Sequence, residues 1–142
     1  MPLIWRAMRM ANGQPEVGRA GNLLGVRVGA SEADDIPEEN GFVQSDTGGM
    51  SVSPSLETLP PHRLPRRLRS RFPEANGSNQ LYCWSMGEGA FVSGVVAEHL
   101  VLRIDPEEPE RHGFVEPERK MPAAEYEAAI AATRDHWKRW EE

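Results

Sequence analysis

Apolar and hydroxyl-bearing residues alternate within residues 41–54, which read GFVQSDTGGMSVSP. The alternation over Met50-Ser51-Val52-Ser53 predicts a half-buried strand with both serines on one face. A turn at Asp46-Thr47-Gly48-Gly49 precedes this strand, and paired glycines permit positive φ angles and the close approach of a ligand to the backbone. Two interpretations stay open: a site for a polar small molecule, or an ordinary hairpin turn with a polar outer face.

Patterns with a period of two predict further strands at the start of the chain and in its second half. Residues 2–10 form the first strand, with Arg6 on the face opposite Trp5. Because burying an unpaired guanidinium group is costly, we expect Arg6 to reach solvent or to meet an anion. The other strands are predicted at residues 81–86, 90–97, 99–104 and 112–117. Residues 18–40 are poorly patterned, and long connections of this kind are usually functional or mobile.

Apolar residues recur at spacings of three and four after Pro122, and neither proline nor glycine follows them. This pattern predicts an amphipathic helix that continues towards the end of the chain and packs on the face of a sheet. The apolar stripe consists of Tyr126, Ala129, Ile130, Thr133, Trp137 and Trp140.

The composition fits one domain spanning residues 1–142, with 39% hydrophobic and 27% charged residues as in soluble globular proteins. No stretch approaches the ~20 consecutive apolar residues that span a bilayer, and the first residues lack the pattern of a secretory signal. The single cysteine, Cys83, excludes an internal disulfide bond, and its aromatic neighbours indicate an unreactive buried thiol. We therefore expect a cytoplasmic protein with no membrane partner, while delivery to a target cell without a signal peptide stays open.

The net charge of −6 argues against general nucleic-acid binding, in which contacts to phosphates dominate the affinity. The charge is unevenly distributed, since residues 62–71 contain five arginines and no acid. This run is either a solvated surface segment or a contact for phosphate or an acidic partner. The four histidines are scattered without the spacing of metal ligands, so we expect no metal site.

Three segments, in this order along the chain, together resemble one protein family. They are Leu3-Ile4-Trp5-Arg6-Ala7, the turn and strand from Asp46 to Val52, and His112-Gly113-Phe114-Val115-Glu116-Pro117 ahead of the terminal helix. The chain resembles the small ADP-ribosyltransferase-like toxins that bacterial type VI secretion delivers. The resemblance implies an α+β fold in which split antiparallel sheets form a cleft that binds NAD, followed by a C-terminal amphipathic helix. It also implies a target in the cytoplasm and a protein immunity partner.

The resemblance further implies roles for individual residues. Arg6, Ser51 and His112 are expected to be catalytic, and Glu116 is the first candidate for a catalytic carboxylate, ahead of Glu98. The residues expected to contact NAD are Arg6, Arg27, Thr47, Gly48, Gly49, Ser51 and Ser53. The reaction would be ADP-ribose transfer or hydrolysis of NAD. The alternative is a non-catalytic member of the same fold that binds a protein, for example as half of a toxin–immunity pair. Convergence of Arg6, Ser51 and His112 on one cleft would favour the enzyme.

Overall fold

Two four-stranded antiparallel sheets form the frame of the molecule. The structure, a computed structural model, describes residues 1–31 and 33–142, so residue 32 of the long connection at 18–40 lies outside the described residues. The strands and the helix are, in chain order, β1 (Ile4–Ala11), β2 (Gln14–Pro15), β3 (Val28–Gly29), β4 (Ile36–Pro37), β5 (Phe42–Val43), β6 (Met50–Val52), β7 (Leu81–Met86), β8 (Gly94–Ala97), β9 (Leu100–Ile104), β10 (Gly113–Pro117), β11 (Met121–Pro122), α1 (Ala123–Ala131) and β12 (Lys138–Arg139).

The first sheet has the strand order β12-β7-β1-β2 and the second has the order β6-β10-β9-β8. Two shorter pairs accompany them: β5 with β11, which is antiparallel, and β3 with β4, which is parallel. The two large sheets meet at Trp5 and Ser53. There, the amide of Trp5 donates to the carbonyl of Ser53 (2.8 Å) and the amide of Ser53 donates to the carbonyl of Trp5 (2.9 Å). We call this double hydrogen bond between β1 and the end of β6 the seam, and through it the sheets continue into a curled half-barrel.

Strands β1 and β7 separate two hydrophobic clusters because their alternate residues face opposite sides. Ile4, Met8 and Trp84 belong to the main core, which also receives one face of α1. Trp5 and Cys83 face a second cluster, which otherwise consists of Leu56, Leu59, Leu64, Leu68, Ala75, Phe72 and Trp140. Burial raises the pKa of the Cys83 thiol to about 12, as expected for an unreactive cysteine.

Three 3₁₀-helical turns, Leu56–Thr58, Pro61–Arg63 and Arg66–Leu68, cover this second cluster. Prolines at positions 60, 61 and 65 fix φ and interrupt longer helix formation, while the leucines between them point inward. The arginine-rich run therefore follows a tightly turned backbone that is anchored by its apolar residues.

The sequence prediction of an α+β fold with antiparallel sheets and a C-terminal helix is confirmed. Strand β8 is shorter than predicted, since it begins at Gly94 and not at residue 90. No helix among residues 1–31 and 33–142 is both long and apolar enough to cross a membrane.

The prediction that the helix continues towards the end of the chain is wrong, because α1 ends at Ala131. Thr133 turns its hydroxyl back to the carbonyl of Ile130 (2.7 Å), and the chain becomes extended at Trp137. It then pairs with β7, where the amide of Trp140 donates to the carbonyl of Cys83 (2.8 Å). The free edge of β7 thus supplies backbone partners, and the two tryptophans enter different hydrophobic clusters.

We predict that Tyr126→Phe destabilises the fold. The hydroxyl of Tyr126 is fully buried, donates to the carbonyl of Val115 (2.6 Å) and accepts from the amide of Met50 (3.3 Å), so it joins α1 to both β10 and β6. Its removal leaves buried polar groups without a partner, which costs about 1–3 kcal/mol. Urea unfolding measures the loss. The control is Tyr82→Phe, because the hydroxyl of Tyr82 makes no hydrogen bond among the described residues; an equal loss in both variants would contradict the prediction.

Candidate functional site

A cleft of about 550 Å³ opens beside the seam, a volume within the usual range for small-molecule sites. Strand β1 and the end of β6 form its floor, and the proline-rich turns form one wall. The rest of the lining comes from Gly21, Arg27 and Asp35 and from residues 108–112. The polar residues that line it are Arg6, Arg27, Asp35, Ser51, Ser53, Thr58, His62, Arg63, Glu108, Arg111 and His112.

Five of the residues selected from the sequence line this cleft: Arg6, Arg27, Ser51, Ser53 and His112. They come from β1, the long connection, β6 and the start of β10, so the fold brings together segments that are distant in sequence. Thr47, Gly48, Gly49 and Glu116 do not line it. The hydroxyl of Ser53 donates to the carbonyl of Thr58 (3.5 Å), whereas that of the exposed Ser51 has no hydrogen-bond partner among the described residues.

Arg6 is buried, with 6% of its surface exposed, and its guanidinium group is bound by the backbone. Nε and Nη2 donate to the carbonyl of Leu23 (3.1 and 2.9 Å), and Nη1 donates to the carbonyl of Ser51 (2.7 Å). Nη2 also lies within 3.4 Å of the carbonyls of Ala20 and Gly25. Arg6 therefore does not extend into bulk solvent, and neutral backbone carbonyls, partners that were not expected, accept most of its hydrogen bonds.

Since a guanidinium group has five N–H donors, one Nη1 hydrogen of Arg6 remains without an acceptor among the described residues. Burial lowers the pKa of Arg6 to about 10, so the group stays protonated at neutral pH. Arg6 thus fixes the 20–25 loop against β6 and still contributes a positive charge to the floor of the cleft.

Arg27 forms a forked ion pair with Asp35 at the cleft wall. Its Nη2 and Nε donate to the two carboxylate oxygens (3.0 and 3.2 Å), and its backbone amide donates to Oδ2 (2.8 Å). The hydrogen bonds to Asp35 raise the pKa of Arg27. This pair closes the loop between β3 and β4, so Arg27 is held in a fixed orientation.

His112 is oriented by Asp105. Nδ1 of the imidazole lies 2.8 Å from Oδ2 of Asp105, and since a carboxylate accepts, Nδ1 carries the hydrogen and Nε2 is left for the cleft. The edge of the ring also contacts Phe114, with the ring centres 4.6 Å apart. Glu108 lies close by, and one ligand atom from each of Asp105, Glu108 and His112 fits within 4.8 Å of the others. Such a donor set could hold a divalent cation, a grouping that the spacing of the histidines did not predict.

Glu116 is buried outside the cleft. Its Oε2 accepts hydrogen bonds from Nε of Arg103 and from the backbone amide of Asp46, both at 2.9 Å. The carboxylate therefore ties the turn before β6 to β10 and β9. Glu98 is exposed beside His99 (3.4 Å) and does not line the cleft either. The carboxylates that do line it are Asp35 and Glu108.

The paired glycines bring the protein's own backbone segments together. Gly48 and Gly49 have φ angles of +145° and +152°. A β-carbon on Gly48 would overlap the carbonyl of Asp35, and one on Gly49 would lie 2.6 Å from the carbonyl of Val115. The interpretation that these glycines admit a ligand is therefore corrected, because the space beside them is filled by β10 and by the backbone of Asp35 and Ile36. Thr47 is exposed and donates to the carbonyl of Gln44 (2.7 Å).

Sequence reasoning did not select Asp35, Arg63, Glu108 and Arg111 for the cleft. Arg63 belongs to the arginine run for which a phosphate contact was one of two interpretations, but nothing in the run distinguishes it from its neighbours. The turn at Pro61–Arg63 directs it into the cleft, while Arg67 and Arg71 pair with Glu142 and Glu57 elsewhere.

No protein-family model, no curated protein and no solved structure matches this chain. The function must therefore be inferred from the residues of the cleft and from the motifs that supply them.

We predict that the contribution of Asp105 to stability depends on pH. The hydrogen bond from His112, followed by that from the amide of Glu107, lowers the pKa of Asp105 below its ordinary value of 3.8. A lowered pKa in the folded state stabilises the fold above the ordinary value, and this contribution disappears as the pH falls through the lowered pKa. The free energy of unfolding of wild type should therefore exceed that of Asp105→Asn at neutral pH, and this difference should shrink in acid as Asp105 becomes protonated. Urea unfolding across that range measures it; a difference that does not change with pH would contradict the assignment.

Proposed function

We propose that the cleft binds NAD and that the chain is an ADP-ribosyltransferase-like enzyme, a bacterial toxin that acts on a cytoplasmic target. The observation that carries this proposal is the convergence of Arg6, Ser51 and His112 on one cleft beside the seam. These are the three residues that the resemblance selects from three separate segments. Their convergence does not follow from the sequence order and is the outcome that favours the enzyme over the alternative.

The chemistry of the cleft is suited to a dinucleotide. NAD combines two phosphates with ribose hydroxyls and two flat rings, and arginine side chains bind phosphate oxygens through charge-assisted hydrogen bonds. Four arginines line the cleft. The exposed hydroxyl of Ser51 can bond to a ribose, and the volume lies in the range for drug-sized ligands.

Cleavage of the bond between nicotinamide and ribose generates a positive, oxocarbenium-like centre that a nearby carboxylate stabilises. Glu116 is engaged by Arg103 and Asp46 outside the cleft, and Asp35 is engaged by Arg27. Glu108 lines the cleft, and its carboxylate makes no hydrogen bond or ion pair among the described residues. We therefore assign the electrostatic role to Glu108 and proton transfer to Nε2 of His112, which Asp105 orients.

A second candidate function is a non-catalytic, protein-binding member of the same fold. The position of Glu116 favours it, because the carboxylate that the resemblance offers for catalysis is buried in a structural ion pair. Binding of NAD is the property that separates the two candidates.

We predict that the purified chain binds NAD in a calorimetric titration and that Ser51→Ala weakens this binding about fivefold, the effect of losing one hydrogen bond worth about 1 kcal/mol. Ser70→Ala is the matched control, since Ser70 is exposed and does not line the cleft. The absence of NAD binding by folded wild type would exclude the enzyme, and equal weakening by both substitutions would remove Ser51 from the site.

We predict that expression of the chain in a bacterial cytoplasm arrests growth, and that Ser51→Ala and His112→Gln relieve the arrest at unchanged protein abundance. The physical reason is that each substitution removes a group facing the cleft. Ser70→Ala should stay as toxic as wild type. Growth curves with immunoblots measure the effect; harmless wild type, or variants as toxic as wild type, would count against a toxin that uses this cleft.

A further inference from the structure

Arg63 is a half-buried cation that lines the cleft. It is the last residue of the turn Pro61–Arg63, and its side chain makes no hydrogen bond or ion pair with any residue that the structure describes. Burial, and then the nearby charge of Arg27, lower the pKa of Arg63, so both desolvation and like-charge repulsion oppose its present position.

The guanidinium groups of Arg63 and Arg27 converge at Gly21. A β-carbon on Gly21 would overlap Nη2 of Arg63 and would lie 3.9 Å from Nη2 of Arg27. The missing side chain of Gly21 therefore provides the space into which both groups extend. Any larger residue at this position would displace the flexible end of Arg63.

Among the described residues, the charges at this end of the cleft do not balance. Asp35 is the carboxylate whose charge acts on both Arg6 and Arg63, and Arg27 already occupies both of its oxygens. Arg6 is bound by neutral carbonyls, which accept from all but one of its N–H groups and carry no charge to compensate its own. An anion beside Gly21 would interact favourably with all three cations.

The backbone holds Arg63 ready for such an anion. The amide of Arg63 donates to the carbonyl of Pro60 (2.8 Å), and the leucines on either side of the turn, Leu59 and Leu64, are buried in the second cluster. Two successive prolines restrict φ in this segment. Little conformational freedom of the backbone is left to lose on binding, which favours affinity.

We propose that Arg63 and Arg27 form a phosphate-binding subsite at Gly21, with the free N–H of Arg6 at its floor, and that its ligand is the pyrophosphate group of a dinucleotide. Arg63 supplies a free planar fork of donors, and Arg27 adds the N–H groups that do not bond to Asp35, so the two side chains can reach two adjacent phosphates. The identity of the dinucleotide rests on the proposed function, whereas the preference for pyrophosphate rests on the charges and geometry at Gly21. Arg6 then shapes the floor, and Arg63 makes the principal contact with phosphate.

Calorimetric titration of the full chain with inorganic pyrophosphate tests the subsite. Wild type should bind, Arg63→Gln should bind at least about tenfold more weakly because it loses charge-assisted hydrogen bonds, and Arg63→Lys should lie between them. Arg66→Gln is the matched control, since it removes the same charge from an exposed residue of the same run that does not line the cleft. Because the side chain of Arg63 has no partner among the described residues and its charge is disfavoured there, Arg63→Gln should unfold at or above the wild-type temperature.

Gly21→Ala provides an independent variant, because it keeps every charge and displaces only the guanidinium group of Arg63. It should weaken pyrophosphate binding, but less than Arg63→Gln does because the charge remains, and the double variant should bind no more weakly than Arg63→Gln alone. If Gly21→Ala bound pyrophosphate with the wild-type affinity, the subsite could not lie where Arg63 extends over Gly21, and the proposed geometry would be overturned.

A parallel titration with NAD separates the subsite from the proposed function. Pyrophosphate binding that depends on Arg63, without any binding of NAD, supports the subsite and overturns the assignment of NAD. NAD binding with equal pyrophosphate affinity in wild type, Arg63→Gln and Arg66→Gln supports the function and overturns the subsite. No pyrophosphate binding by wild type also overturns the subsite.

Discussion

The structure depends on one buried guanidinium group, that of Arg6, and on the neutral carbonyls that surround it. Its donors reach the carbonyl of Ser51 in β6 and that of Leu23 in the long connection, while its backbone belongs to β1. A hydrogen bond from a charged group is worth about 1.5–3 kcal/mol, and removing such a group from water costs several kcal/mol, so the arrangement requires all of its partners at once. The seam and the cleft floor therefore form together.

The strands of the fold could be predicted from the sequence because both large sheets bury alternate residues, as in β6, where Met50 and Val52 are buried and Ser51 is exposed. The end of the helix could not be predicted in the same way. Trp137 and Trp140 fit the helical spacing, but the free edge of β7 offered backbone hydrogen bonds that local periodicity does not encode. The competing partner is nonlocal, and only the assembled sheet reveals it.

The same difference between local pattern and tertiary structure decides which residues of the site could be predicted from the sequence and which could not. Arg6, Ser51 and His112 lie in recognisable motifs, and they line one cleft. Arg63 and Glu108 lie in a basic run and an acidic loop, where neighbouring residues of the same charge look equivalent in sequence. Which of them faces the cleft depends on the turn at Pro61–Arg63 and on the approach of the 105–112 loop to β6, so the choice is made by tertiary structure.

The cleft is cationic in a chain of net charge −6 because Arg6, unlike Arg103, has no carboxylate partner among the described residues. Nε of Arg103 donates to Glu116 (2.9 Å) and lies 3.6 Å from Asp46, so its charge is neutralised inside the protein. Carbonyl groups accept from all but one of the N–H groups of Arg6 but carry no net charge, and the positive potential of Arg6 therefore extends into the cleft. The charge of Arg27 is neutralised by Asp35, whereas Arg63 adds a further positive charge beside Gly21. Because like charges in a partly buried site repel each other strongly, the protein retains an electrostatic cost there that a bound anion would relieve. Unfavourable electrostatic energy of this kind is expected at a ligand-binding site. It would serve no purpose if these residues only stabilised the fold.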